Sequence, residues 1–124
     1  MREAKNSRAL GREGEDQAAG YLERQGMKIL ERNFMCRQGE IDLIGYHKNC
    51  LVFVEVKYRR GQMSGTPESA VTPVKMKKLC IVADYYRYLH RYGDDSPFRY
   101  DVVAISGGEI RWYENAFEHM ARGG

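Results

Sequence analysis

The residues best suited to chemistry lie in the segment 41–57, which reads IDLIGYHKNCLVFVEVK. Its second half is an apolar run typical of a strand buried on both faces, yet it carries Glu55 and Lys57, and the first half carries Asp42. Charged groups are rarely buried unless another group pairs with them. Two carboxylates near an ammonium group therefore predict either a cation site or an ion pair.

A hairpin would bring these residues together. Positions 48–49 separate the two halves and predict a two-residue turn, which places Asp42 opposite Glu55 and Glu40 opposite Lys57. Opposed residues have Cβ atoms about 4.5 to 5.5 Å apart. Two carboxylates at about 4 Å repel by roughly 4 kcal/mol at an effective dielectric near 20. A hard divalent cation, Mg²⁺ or Mn²⁺, would offset that repulsion through oxygen ligands.

The same register predicts which residues share a face of the hairpin, because side chains alternate along a strand. One face is expected to be wholly apolar and to consist of Ile41, Leu43, Val52, Val54 and Val56. The other face is expected to be apolar near the turn, where Ile44 lies opposite Phe53, and charged at the far end. A bulge at Gly45 would change this register.

The charged end of the hairpin suits phosphodiester hydrolysis. An ion held by Asp42 and Glu55 would polarise a phosphate oxygen, and Lys57 would orient the attacking water or stabilise the charge that develops. The alternative is an ion pair between Glu40 and Lys57 beside a protonated or solvated carboxylate. The spacing alone leaves both interpretations open.

Glu15 is a third acidic candidate. It lies within the apolar stripe of the first predicted helix, one turn from the small residues Ala18 and Ala19. Small neighbours would let the helix approach the sheet closely, so that Glu15 would reach Asp42 and Glu55. The alternative is a glutamate that faces solvent.

The elements that must position these groups follow from periodicity and from helix and turn signals. The predicted elements, in chain order, are a helix over 8–25, a strand over 28–34, the two strands of the hairpin, a helix that starts at Thr72 and Pro73 and ends at Gly93, a strand over 98–105, a turn at Gly107 and Gly108, and a strand over 110–113. Asn115 and Glu118 predict a capping box for a terminal helical turn. The order α-β-β-β-α-β-β predicts an α/β domain with a mixed five-stranded sheet flanked by helices.

Composition sets the outer limits. The chain has 124 residues, of which 43% are hydrophobic and 30% charged, as expected for one folded domain with a core over about 8–113 and a peripheral segment over 114–124. We expect a cytoplasmic protein, since the sequence has no apolar run of membrane-spanning length and no apolar signal segment. The cysteines Cys36, Cys50 and Cys80 form no C-x-x-C pair, which favours reduced thiols over disulfides or a zinc site. The three histidines do not cluster.

Basic residues group in two places although the net charge is only +3. Arg59 and Arg60 follow the candidate strand, and Lys75 and Lys78 lie at the start of the second long helix. The free N–H groups of a helix start favour anions, so these four residues predict a phosphate-binding surface. The alternative is two solvated basic surfaces without a partner.

Five segments now point to a family: GREGEDQAAGYL, GEIDLI, LVFVEVKYR, GTPESAVTPVK and RYDVVAI, in this order between Gly11 and Ile105. Together they resemble the YraN family of small bacterial proteins, which is placed in the restriction-endonuclease-like PD-(D/E)XK nuclease superfamily and is similar to archaeal Holliday junction resolvases. The resemblance implies a restriction-endonuclease-like core. Met35 and Val74 stand where basic residues would be expected in this family.

The resemblance also implies roles for individual residues. Asp42 would be the metal-binding aspartate, Glu55 and Lys57 the (D/E)xK pair, and Glu15 the helical glutamate of the resolvase-like branch. Asp42 and Glu55 would hold Mg²⁺ or Mn²⁺ together with the backbone carbonyl of Val56, and Glu15 would bind a metal-linked water or a second ion.

The leading hypothesis is therefore a Mg²⁺- or Mn²⁺-dependent deoxyribonuclease, with branched intermediates of DNA recombination or repair among its expected substrates. Its expected partner is DNA. A homodimer is compatible with this hypothesis, because cutting two strands needs two sites. The alternative is a nucleic-acid or protein binding module that keeps the nuclease fold without turnover. The carboxylates favour the enzyme, because a pure binder of phosphate has no use for them.

Overall fold

The computed structural model describes residues 2–59 and 71–120, with side chains from residue 12 onward. The elements, in chain order, are α1 (Arg2–Arg24), β1 (Lys28–Cys36), β2 (Gly39–His47), β3 (Cys50–Tyr58), α2 (Pro73–Leu89), β4 (Phe98–Ser106) and β5 (Glu109–Phe117). The described elements therefore confirm the expected order α-β-β-β-α-β-β. Within these residues no helix combines the length and the apolar character that crossing a membrane requires.

The five strands form one mixed sheet in the order β1-β2-β3-β4-β5. Strands β3 and β4 are parallel, and the other neighbouring strands are antiparallel. A parallel pair needs a crossover connection, and α2 lies within the connection between β3 and β4. The α/β class with a mixed five-stranded sheet, predicted from the sequence, is confirmed.

The two helices cover opposite faces of the sheet. On one face α1 packs through Ala18 and Leu22 against a buried cluster whose strand members are Leu43, Val52, Val54, Val103 and Ile105. On the other face α2 packs against a second cluster, whose buried strand members are Phe34, Ile41, Ile44, Leu51, Phe53, Tyr100 and Val102. Strand β3 contributes to both clusters, which explains its nearly unbroken apolar run.

One end of each long helix matches the prediction, the C-terminal end of α1 and the N-terminal end of α2, whereas α1 begins at Arg2 instead of residue 8 and α2 ends at Leu89 before the predicted Gly93. Gly26 adopts a positive φ of 99° after α1, and the Met27 N–H donates to the Leu22 carbonyl at 2.9 Å. The Thr72 side chain caps the start of α2 by accepting from the Lys75 N–H at 3.2 Å. These two ends fix where each helix meets the sheet.

Two local predictions are wrong. Ile41 belongs to the α2-side cluster and not to the face of Leu43, so the simple alternation of side chains breaks between these two residues of β2. Asn115 lies within β5 and does not start a helical turn, because its N–H donates to the buried Asp101 carboxylate at 2.9 Å and the strand continues past it. Glu118 lies just after the end of β5, in a stretch without regular structure.

Gly45 on β2 leaves room for Met27 and Lys28, which follow α1, to lie close to this strand. A Cβ atom at this position would lie 2.6 Å from the Met27 Sδ atom and 3.0 Å from the Lys28 carbonyl oxygen. We expect Gly45→Ala to lower the free energy of unfolding by about 1 to 3 kcal/mol, the usual cost of overpacking. The measurement is equilibrium denaturation.

Gly93→Ala is the matched control for this prediction. A Cβ atom at Gly93 would meet no other atom within 4 Å. The control should keep the stability of the parent to within about 0.5 kcal/mol. Equal denaturation midpoints for the two variants would contradict the close approach at Gly45.

Candidate active site

The site forms where strands β2 and β3 separate. The ladder between them follows the predicted register up to Leu43 opposite Val54 and stops there. Beyond this point β2 continues beside β1, and β3 continues beside β4. The two strands form a fork, so the ladder ends before Glu40 could lie opposite Lys57, and no ion pair joins these two residues in the described part of the chain.

Asp42 lies at the base of the fork. Its Oδ2 atom accepts a hydrogen bond from the Val56 N–H at 2.8 Å, an amide that a continued ladder would direct at a backbone carbonyl. The Asp42 carboxyl group also lies close enough to that of Glu55 for each group to shift the pKa of the other. The structure therefore brings together the two acids that the sequence paired, through a fork and not through an unbroken ladder.

Glu15 approaches the same place from α1. Its Oε1 atom is buried and has no hydrogen-bond partner among the described residues. Burial and the nearby Asp42 carboxyl raise the pKa of Glu15, whereas a hydrogen bond from the Asn33 side chain lowers it. Among the described residues, however, no three His, Cys, Asp or Glu side chains are placed to hold one ion directly.

Two lysines face the acids. Lys57 is exposed, and its charge acts on Glu55 two residues before it on the same strand. Lys75 reaches across from the first turn of α2, where its Nζ atom lies 3.8 Å from the Glu55 Oε2 atom. The sequence predicted Lys75 as a phosphate ligand and gave no sign of its contact with Glu55.

The carboxyl groups at the fork outnumber the lysines that face them. Burial and the Glu55 carboxylate raise the pKa of Asp42 to about 7. Burial also raises the pKa of Glu55, although Lys75 and Lys57 oppose that shift. The exposed Glu40 adds a further negative charge that acts on both. An excess of carboxylate oxygens over cations suits a hard divalent ion, so the donor set fits Mg²⁺ or Mn²⁺.

Asn33 is a residue of the site that the sequence reasoning missed. It lies in β1 between Arg32, which pairs with Leu43 on β2, and Phe34, which pairs with Ile41. Asn33 is therefore level with Asp42. Its φ of 54° is left-handed, a conformation in which asparagine is enriched. The signal available in the sequence was an asparagine interrupting a strand-like run. Its side chain lies close enough to Glu15 to lower the pKa of that carboxyl group.

Of the other residues predicted to contact DNA, the structure describes Arg59 and Lys78. The Arg59 N–H donates to the Ile105 carbonyl at 2.8 Å, which continues the pairing of β3 with β4. Lys78 is exposed on α2, and Arg60 lies outside the described residues. Met35 and Val74 are 71% and 68% exposed, so this surface carries apolar groups beside its basic ones.

The sequence profile described as "Uncharacterised protein family UPF0102" matches residues 14–105. This chain belongs to that family. The matched range contains the whole fork together with Glu15 and the Lys75 contact. UPF0102 is the YraN family that the sequence motifs resembled, so that prediction is confirmed.

Relatives in several bacteria match most of the chain. A UPF0102 protein of Lachnoclostridium phytofermentans is 43% identical over 113 residues, which cover 91% of this chain and 96% of the relative. A UPF0102 protein of Syntrophotalea carbinolica is 44% identical over 114 residues, covering 89% and 92% of the two chains. One from Cytophaga hutchinsonii is 45% identical over 97 residues, covering 78% and 84%. These names state no activity.

The raised pKa of Asp42 predicts how stability depends on pH. Its ordinary value is 3.8, and the folded protein raises it to about 7. The folded state therefore holds a proton that the unfolded state releases, and the stability that this proton contributes is lost as pH rises from about 4 to 7. We expect the free energy of unfolding, measured by denaturant titration in EDTA, to fall by a few kcal/mol across that interval.

Asp42→Asn tests the assignment, since an amide oxygen still accepts from the Val56 N–H but does not titrate. This variant should show a flatter pH dependence than the parent. Asp94→Asn, in the exposed turn after α2, is the control and should follow the parent curve. Parallel curves for all three proteins would exclude Asp42 as the source.

The left-handed backbone of Asn33 predicts a difference between two substitutions. Asn33→Ala and Asn33→Gly both remove the polar side chain of Asn33. Glycine, however, adopts a φ of 54° without steric cost. We expect the glycine variant to be more stable than the alanine variant by about 1 kcal/mol. Thermal and denaturant unfolding measure this, and equal stabilities would contradict the strain at position 33.

Proposed function

We propose that this protein is a Mg²⁺- or Mn²⁺-dependent deoxyribonuclease that hydrolyses phosphodiester bonds. The observation that carries the proposal is the pair of neighbouring carboxyl groups of Asp42 and Glu55 at the fork, with Lys57 and Lys75 beside it. A stability role alone does not explain this arrangement, because two half-buried carboxylates side by side cost free energy in the absence of a cation.

Each residue has a separate task in this proposal. Asp42 and Glu55 would hold the ion, together with the backbone carbonyl of Val56, and the ion would supply Lewis-acid polarisation of a phosphate oxygen. Glu15, with a buried oxygen that lacks a partner among the described residues, would accept from a water molecule in the site. Lys57 is exposed at the mouth of the fork, where its ammonium group would orient the attacking water and stabilise negative charge on the phosphate.

DNA is the substrate that the surroundings favour. Lys78 is exposed on the same helix as Lys75, and Arg59 directly follows the strand that carries Glu55 and Lys57. Positive groups along the exit from the fork would contact successive phosphates without reading bases. Binding of this kind follows the shape of the nucleic acid, so branched intermediates of recombination or repair are the substrates that we propose to test first.

The test is a cleavage assay with Mn²⁺ on supercoiled, linear, single-stranded and four-way-junction DNA. Glu55→Gln and Lys57→Gln should each lower the initial rate by about 100-fold or more, the usual effect of removing one group that stabilises the transition state. Glu109→Gln makes the same chemical change at the hairpin between β4 and β5 and should leave the rate unchanged.

The assay also separates the enzyme from a binding module. If no substrate is cut, or if Glu55→Gln cuts as fast as the parent, the enzyme proposal is wrong. DNA binding that persists in the parent without cleavage would then support a module that keeps the fold and has lost turnover. Gel-shift measurements on the same substrates supply that readout.

A further inference from the structure

Lys75 is held in place where it meets Glu55. Its own N–H donates to the Thr72 side chain at 3.2 Å, in the capped first turn of α2. Its Nζ atom lies 3.8 Å from the Glu55 Oε2 atom, and the Glu55 side chain is only 12% exposed, whereas that of Lys75 is 42% exposed. One end of this lysine therefore faces the candidate metal ligand, and the same side chain is open to solvent.

We propose that Lys75 is a competing cation: it neutralises Glu55 while no divalent ion is held, and it turns to a DNA phosphate when an ion takes its place. The inference rests on the proposed function and adds to it a coupling between ion binding and DNA binding. A divalent ion on Glu55 repels an ammonium group at this distance. Because the Lys75 side chain is partly exposed, the displaced ammonium group can turn away from Glu55 toward solvent or a bound phosphate.

The geometry singles out Lys75 and not Lys57. Lys57 lies on the same strand as Glu55, and it forms no ion pair with Glu55 within the described part of the chain. Lys75 lies on α2, outside the sheet, and its Nζ atom lies 3.8 Å from the Glu55 Oε2 atom. A group on a separate helix can leave the carboxylate by a change of side-chain rotamer, without any movement of β3.

The coupling must act in both directions. If a phosphate draws Lys75 away from Glu55, DNA raises the affinity for the ion, and the ion raises the affinity for DNA by the same factor. Removal of the ammonium group has two opposite consequences. It strengthens ion binding in the absence of DNA, and it removes part of the gain that DNA provides.

The experiment measures Mn²⁺ binding by calorimetry or by electron paramagnetic resonance at fixed pH, first without DNA. Lys75→Gln should bind Mn²⁺ about threefold to fivefold more tightly than the parent, as expected from a partly exposed ion pair. Lys75→Arg keeps the charge and should remain close to the parent. Lys77→Gln removes the same charge from another side of the same helix and should also remain close to the parent.

The second part repeats the titration with a non-cleavable phosphorothioate DNA. The gain in Mn²⁺ affinity that DNA causes should be smaller in Lys75→Gln than in the parent and in Lys77→Gln. Unchanged or weaker Mn²⁺ binding by Lys75→Gln would overturn the inference, and so would an equal gain in all three proteins. If these binding results hold but no DNA is cut, the proposed function fails and the role of Lys75 as a competing cation stands.

Discussion

The separation of β2 and β3 at Asp42 is the constraint on which the candidate site depends. In an unbroken ladder the Val56 N–H would be directed at a backbone carbonyl, whereas here it bonds to the Asp42 side chain. That single exchange places a carboxylate between two strands, next to the Glu55 carboxyl group. Helix α1 then brings a third acid from one face of the sheet, and α2 brings a lysine from the other. The chemistry of the site is therefore set by where a ladder ends.

The buried aspartate Asp101 shows that this fold satisfies a carboxylate fully when its role is structural. Asp101 on β4 is completely buried, and its two oxygens accept hydrogen bonds from the Arg99 guanidinium, the Trp112 indole and the Asn115 N–H at 2.8 to 3.1 Å. Asp42 has one such amide donor and an acid as its other neighbour. The difference between the two sites is a shortage of positive charge, which is the property expected of a site that receives a cation.

Local patterns in the sequence predicted most of the fold and part of the site. The register of the hairpin, the two helix ends and the meeting of Asp42 with Glu55 follow from alternation, capping residues and turn residues, which act over a few positions. The face occupied by Ile41 did not follow, because the ladder between β2 and β3, on which the alternation was predicted, ends at Leu43 and does not reach Ile41. The contact between Lys75 and Glu55 did not follow either, since it depends on how α2 crosses the sheet.

The distance between Glu15 and the fork depends on the small residue before it, Gly14. A Cβ atom on the preceding residue, Gly14, would lie 3.1 Å from the ring of Tyr58 on β3, so α1 approaches the strand more closely than a larger side chain would permit. The next residue along the helix then extends toward Asp42 with a buried oxygen. Close helix packing, which stabilises the α1-side core, thus also sets the distance between the third carboxylate and the fork, so Glu15 reaches the site only when this helix is docked.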